Sequence, residues 1–140
     1  MNPLFRNDRP GEFPASWYAA TADIPPARPA LEGQVDVDVA LLGAGFTGLT
    51  CALELARKGL KVAVIEAHRA GFGASGRNGG QVGSGFNIDQ RTLEKELGHD
   101  TAHLLWDLSM EAKAMVRDFC ASHAPEARFT PGVAHGAWAA

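Results

Sequence analysis

The sequence predicts an α/β fold built around a parallel βαβ unit, and three observations carry the prediction. Val35 to Leu42 ("VDVDVALL") passes from alternating to continuously apolar; a glycine-rich turn follows at once; and a second apolar run, Lys61 to Ala67 ("KVAVIEA"), comes after a helical stretch. Strand, helix and strand within about 30 residues require parallel pairing and a right-handed crossover.

The elements are justified in order. Residues 1–34 contain Pro3, Pro10, Pro14, Pro25, Pro26 and Pro29 without periodicity, so they read as an irregular arm laid over a domain, with the aromatics of "SWYAA" (Ser16 to Ala20) tacking it down. Val35–Leu42 suits a strand that enters at a sheet edge and ends buried on both faces. Phe46 to Lys58 reads as a helix: Leu49, Ala52, Leu53 and Ala56 share a face, Arg57 and Lys58 suit its negative end, and Gly59 is a left-handed stop. Lys61–Ala67 is the second buried strand. Asp89 caps a short helix through Leu97, which Gly98 ends; Asp100 caps a longer one to about His123. On the longer helix Leu104, Leu108, Ala112, Met115 and Phe119, widened by Leu105 and Val116, form a stripe expected to face a core. His103 and His123 border that stripe with no second ligand at metal spacing, so no metal site is expected.

Three domains of the chain follow: the arm at 1–34, the N-terminal part of a nucleotide-binding domain at 35–98, and a helix opening further structure at 99–140. Two parallel strands fall short of the sheet of about 5 to 6 strands usual in globular domains. The fold is therefore expected to be incomplete, the N-terminal part of a longer protein.

Composition narrows the function. With 140 residues, 46% hydrophobic and 21% charged, the chain is globular in type, and a formal net charge of −3 without a basic stripe argues against a nucleic-acid partner. Cys51 and Cys120 lie too far apart in sequence to suggest a disulfide framework, which fits a reducing cytoplasm. No signal segment and no run of about 20 apolar residues is present, so no membrane span is expected.

Gly43-Ala44-Gly45-Phe46-Thr47-Gly48 fits G-x-G-x-x-G. Alone the pattern is weak, but here it joins a strand to a helix and an acidic residue, Glu66, closes the next strand about 20 residues on. Gly43 permits the tight turn, Gly45 lets a pyrophosphate reach the main chain, and Gly48 lets helix and strand pack closely. The first helical amides, at Phe46 and Thr47, aim the positive end of the helix dipole at the phosphates. Glu66 is set to accept from ribose hydroxyls and disfavours a 2′-phosphate, which leaves NAD or FAD.

A second segment, "AGFGASGRNGGQVGSG" (Ala70 to Gly85), threads Ser75, Arg77, Asn78 and Gln81 between glycines. Backbone of this kind suits wrapping around a second large group, and so an extended FAD. Together "DVALLGAGFTGL", "VIEA" and "GFGASGRNGGQ" resemble the N-terminal FAD-binding region of the D-amino-acid oxidase and glycine oxidase superfamily, nearest to its gamma-glutamylputrescine oxidase branch.

The resemblance covers the chain from about Ser16. It implies a Rossmann-like βαβ FAD-binding fold of D-amino-acid oxidase type. It also implies that Gly43, Gly45, Phe46, Thr47 and Gly48 hold the pyrophosphate and Glu66 and Ala67 the ribose. Ser75, Gly76, Arg77, Asn78, Gly79, Gly80 and Gln81 would line the pyrophosphate, ribityl chain and flavin ring. Neither His68 nor Cys51 lies in a motif for covalent flavin attachment, so FAD is expected to be non-covalent. The implied reaction is oxidation of a C–N bond of an amine or amino acid, with hydride passing to flavin N5 and the imine then hydrolysing. No catalytic residue is assigned, and the substrate, electron acceptor and oligomeric state stay open. His135, in "PGVAHGAW", is a loop histidine that could approach a substrate. The enzyme implied is the longer protein, and these 140 residues alone are expected to be inactive. Two other readings compete: an NAD-dependent dehydrogenase, and a truncated, non-catalytic dinucleotide-binding piece.

Overall fold

The computed structural model describes residues 11–133 and, before them, Arg6 and Arg9. His135 lies outside the described residues. The chain divides into two compact units between Gly79 and Gly80.

In the first unit the elements run α1 (Trp17–Thr21), β1 (Val39–Leu42), α2 (Phe46–Arg57) and β2 (Val62–Ile65). β1 and β2 pair in parallel, Val39 opposite Val62 through Leu42 opposite Ile65, with α2 as the crossover. The pair is fastened at both ends. At the lower end the Asp38 amide donates to the Lys61 carbonyl (2.9 Å) and the Lys61 amide to Asp38 Oδ2 (2.7 Å); at the upper end the Gly43 amide donates to the Ile65 carbonyl (2.7 Å). Strand structure starts at Val39 rather than Val35, because the Asp38 side chain closes this lower clasp and the residues before it have no strand partner.

Burial corrects the expectation of strands covered on both faces. β1 alternates between half-buried and exposed residues, and Leu42 is 87% exposed. Among the described residues a single helix, α2, covers the pair, so one face stays open. The inward side of α2 is also rotated from the expected one: Gly48, Ala52, Leu53 and Leu55 are half-buried, whereas Leu49 and Ala56 are exposed. The cause is the close seat of Gly48, where an added Cβ would stand 2.0 Å from the Gly43 carbonyl oxygen. The stop of α2 is as expected, with Lys58 as cap and Gly59 at φ +85°.

The arm is anchored differently from expectation. Ser16 caps α1, accepting from the Ala19 amide (3.2 Å), but Trp17 is 77% exposed and ties nothing down. Phe13 does so instead, 6.0 Å from the ring of the buried Phe72.

The second unit holds α3 (Gln90–Leu97) and α4 (His99–His123), packed on each other. Asp89 Oδ1 caps α3 by accepting from the Arg91 amide (2.9 Å), and Gly98 ends it at φ +83°. Gly98 also caps α4, so Asp100 stands inside the first turn instead of capping it. Because the helix starts at His99, the rings of His99 and His103 stack one turn apart (4.9 Å), a neighbour the sequence reading overlooked. Among the described residues no three His, Cys, Asp or Glu are grouped to hold a metal ion.

The α4 stripe does not face a core. Leu104 is 69% exposed, and Leu108, Ala112, Met115, Val116 and Phe119 are exposed as well. The buried face is a neighbouring one, through Ala102 and Ser109, next to the half-buried Leu105. Leu93 of α3 is buried, Gln90 Nε2 donates to the Ala102 carbonyl (3.0 Å), and the Gly85 amide donates to Ser109 Oγ (2.9 Å). Small and polar residues allow the closer approach, and the bulky stripe is left outward. Among the described residues no helix is long and apolar enough to cross a membrane.

Candidate functional site

The site is built on the turn between β1 and α2. Gly43 has φ +98°, a conformation L side chains rarely adopt, and this folds the chain back so that α2 begins at Phe46. Ala44 is buried behind the turn. Gly45 is the N-cap residue and has no side chain to satisfy the amides of the first helical turn. Those amides therefore carry the positive end of a 12-residue helix toward whatever approaches.

Two side chains reach this turn from elsewhere. Glu66, just past β2, accepts from the Ala44 amide through Oε2 (2.7 Å) and from the His68 amide through Oε1 (2.9 Å). The Ala44 amide, and after it those of His68 and Ala67, hold the Glu66 carboxyl below the ordinary glutamate range, against the opposing effect of burial. The carboxylate is thus fixed in position and ionised, with lone pairs left on each oxygen. Ser75 Oγ accepts from the Phe46 amide (2.9 Å), and a Cβ on Gly45 would stand 2.9 Å from that oxygen. As a hydroxyl, Ser75 still has a proton to donate outward.

Ser75 belongs to a feature that sequence reasoning missed. Gly71-Phe72-Gly73-Ala74-Ser75-Gly76 is a second G-x-G-x-x-G, and its backbone repeats the first. Gly71 has φ +72°, Gly73 caps a single 3₁₀ turn (Ala74–Gly76), and a Cβ on Gly76 would stand 2.1 Å from the Gly71 carbonyl oxygen. The glycine spacing alone would have revealed it. The Gly71 amide donates to the Ala44 carbonyl (2.9 Å), so the two turns are joined directly.

Arg77 and Asn78 brace the second turn. Arg77 Nε donates to the Phe72 carbonyl (2.9 Å) with its guanidinium 4.8 Å from the Phe72 ring, and Asn78 Nδ2 donates to the Ser75 carbonyl (2.8 Å). The contacts at the first turn join Gly43, Ala44, Gly45, Phe46, Gly48, Glu66 and Ser75. Thr47, Ala67, Gly76, Arg77, Asn78 and Gly79 lie in the same unit, while Gly80 and Gln81 belong to the second.

Main-chain amides at a helix start, glycines whose absent Cβ leaves backbone bare and a fixed carboxylate at the neighbouring strand end fit a nucleotide diphosphate and its ribose. The family model for FAD dependent oxidoreductases matches residues 38–139. The chain belongs to that family. Its cofactor is accordingly FAD, and the NAD-dependent reading falls.

Several oxidoreductases are similar to the chain in sequence. The chain is 44% identical over 117 residues to the probable oxidoreductase OrdL of Rhizobium meliloti, covering 84% of this chain and 27% of that protein. It is 39% identical over 121 residues to the gamma-glutamylputrescine oxidoreductase of Escherichia coli, covering 86% of this chain and 28% of that one. A probable oxidoreductase OrdL of Haemophilus influenzae is 55% identical over 74 residues, 53% of this chain and 17% of that protein. The chain thus spans less than a third of the length of these relatives. No solved structure matches it.

Proposed function

We propose that the paired glycine turns hold FAD non-covalently by its diphosphate and adenosine ribose, in a protein that oxidises a C–N bond of an amine or amino acid. The observation that supports this most is the convergence on one helix start: the Gly43–Gly48 turn, Glu66 fixed on the Ala44 amide, and Ser75 on the Phe46 amide. In this reading the Thr47 amide meets a phosphate oxygen while the Phe46 amide stays on Ser75 Oγ, Gly45 allows the phosphate's approach, and the ribose hydroxyls donate to Glu66 beside Ala67. Ser75 offers its free proton to the diphosphate. Arg77 and Asn78 keep the second turn in shape, and Gly79, Gly80 and Gln81 lead toward the ribityl chain and ring. When bound, FAD supplies the electron sink for the oxidation. This chain's residues contribute binding, orientation and the electrostatic field at the diphosphate.

For the substrate, the likeness to gamma-glutamylputrescine oxidoreductase favours an amine of that class. The test is to purify the protein, record its visible flavin bands, and follow oxidation of gamma-glutamylated diamines beside simple amines and amino acids. Gly45→Leu should remove the flavin, because the added side chain displaces Ser75 Oγ and covers the bare backbone that the diphosphate would approach. A Gly45→Leu protein with full flavin content would overturn the assignment of the turn; a flavin-loaded protein that oxidises only compounds without a C–N bond would overturn the substrate class.

A further inference from the structure

The arm meets the first unit at a point that the diphosphate site does not explain. Arg69 ties together both ends of the arm segment 13–25: its guanidinium lies 5.5 Å from the Phe13 ring, and its Nη2 donates to the Pro25 carbonyl. On this segment lies an open hollow of about 600 Å³ whose lining includes Glu12, Phe13, Ser16, Ile24, Pro25 and Arg69. A second tether lies one residue earlier, where the Gly11 amide donates to His68 Nδ1 (3.3 Å) and the His68 ring stacks on Phe72 (4.3 Å).

These tethers directly follow the carboxylate assigned to the ribose. Glu66 and His68 are joined by a hydrogen bond, and two residues of chain span at most about 7 Å. A nucleotide whose ribose sits on Glu66 carries its base close to His68 and Arg69. The hollow beside them combines apolar residues (Pro14, Ile24, Pro25) and polar ones (Glu12, Ser16) with an aromatic ring and a planar guanidinium, which attract a flat heterocycle by stacking and cation–π contact.

We propose that the arm and Arg69 form the adenine subsite, so that a segment outside the βαβ unit retains the cofactor by its nucleotide end. This rests on the diphosphate reading above. The test compares the purified protein with Phe13→Ala, Arg69→Met and Glu66→Ala variants, stripped of flavin and titrated with FAD, ADP and inorganic pyrophosphate. Phe13→Ala and Arg69→Met should each weaken FAD and ADP about tenfold, the range of a lost cation–π contact, while leaving pyrophosphate binding unchanged. Wild-type affinity for FAD and ADP in both variants overturns the proposal, as does an equal loss of pyrophosphate binding, which would mean that the site had collapsed. If Glu66→Ala weakens FAD and the other two variants do not, only the adenine subsite fails. If Glu66→Ala also leaves FAD affinity intact, the diphosphate reading fails with it.

Discussion

Replacing Gly48 by alanine tests the geometry on which the site depends. The new Cβ would stand 2.0 Å from the Gly43 carbonyl oxygen and 3.2 Å from its carbon, both of them main-chain atoms with no rotamer to change. Restoring an ordinary C···O separation of about 3.3 Å requires turn and helix to part by about 1.3 Å. The displacement disturbs the Gly43 to Ile65 bond and the amides at the start of α2. Overpacking of this kind costs about 3 kcal/mol, a large share of the ~5–15 kcal/mol that stabilises a domain. Gly43→Ala is the informative comparison, since its Cβ meets nothing within 4 Å and only the φ of +98° is penalised. Backbone strain there costs about 1–2 kcal/mol. Urea unfolding with flavin fluorescence as a second readout should rank Gly48→Ala as the more damaging of the two. A Gly48→Ala protein within about 0.5 kcal/mol of wild type, with full flavin content, would refute the close-contact argument.

Further outcomes are expected. Because the folded Glu66 carboxyl lies below its unfolded value, its contribution to stability is complete above the unfolded pKa of about 4.3 and is lost as pH falls through the folded one. The stability difference between wild type and Glu66→Gln should therefore shrink on acidification below that value; a difference constant with pH, measured by urea midpoints, would contradict it. Ser75→Ala removes the acceptor of the Phe46 amide and should cost about 1 kcal/mol in stability and lower FAD affinity, measured by equilibrium titration; unchanged values for both would exclude the bridging role. In the second unit, Ser109 Oγ accepts from the Gly85 amide and donates to the Trp106 carbonyl (2.7 Å). Ser109→Ala should cost about 1–3 kcal/mol and release the Gly85 amide to hydrogen exchange, and slow exchange there would count against the bond.

Features set by local chemistry were legible in the sequence. The C-terminal stop of α2 at Gly59 and both ends of α3, at Asp89 and Gly98, are where a left-handed glycine or a capping carboxylate demands them. The first glycine turn and Glu66 were legible for the same reason, since a tight turn leaves few residues to choose from. Features set by distant partners were not. The α4 stripe of Leu104, Leu108 and Met115 marks residues that gain from cover, yet the pattern does not name the covering element, and α3 takes a neighbouring face through Ala102. The arm likewise offered Trp17 and Tyr18 as the larger aromatics, but a contact between Phe13 and Phe72, helped by Arg69, decides its course.

The clasp at the foot of β1 and β2 guards the chemistry at their top. A strand pair this short could slide by one residue at little cost in rungs, and each step would carry Glu66 about 3.3 Å along the axis and turn it to the opposite face of the sheet. Asp38 and Lys61, joined by two hydrogen bonds, act as a pawl against that slip. The position of the Glu66 carboxylate is thus secured by an aspartate at the far end of the strand pair.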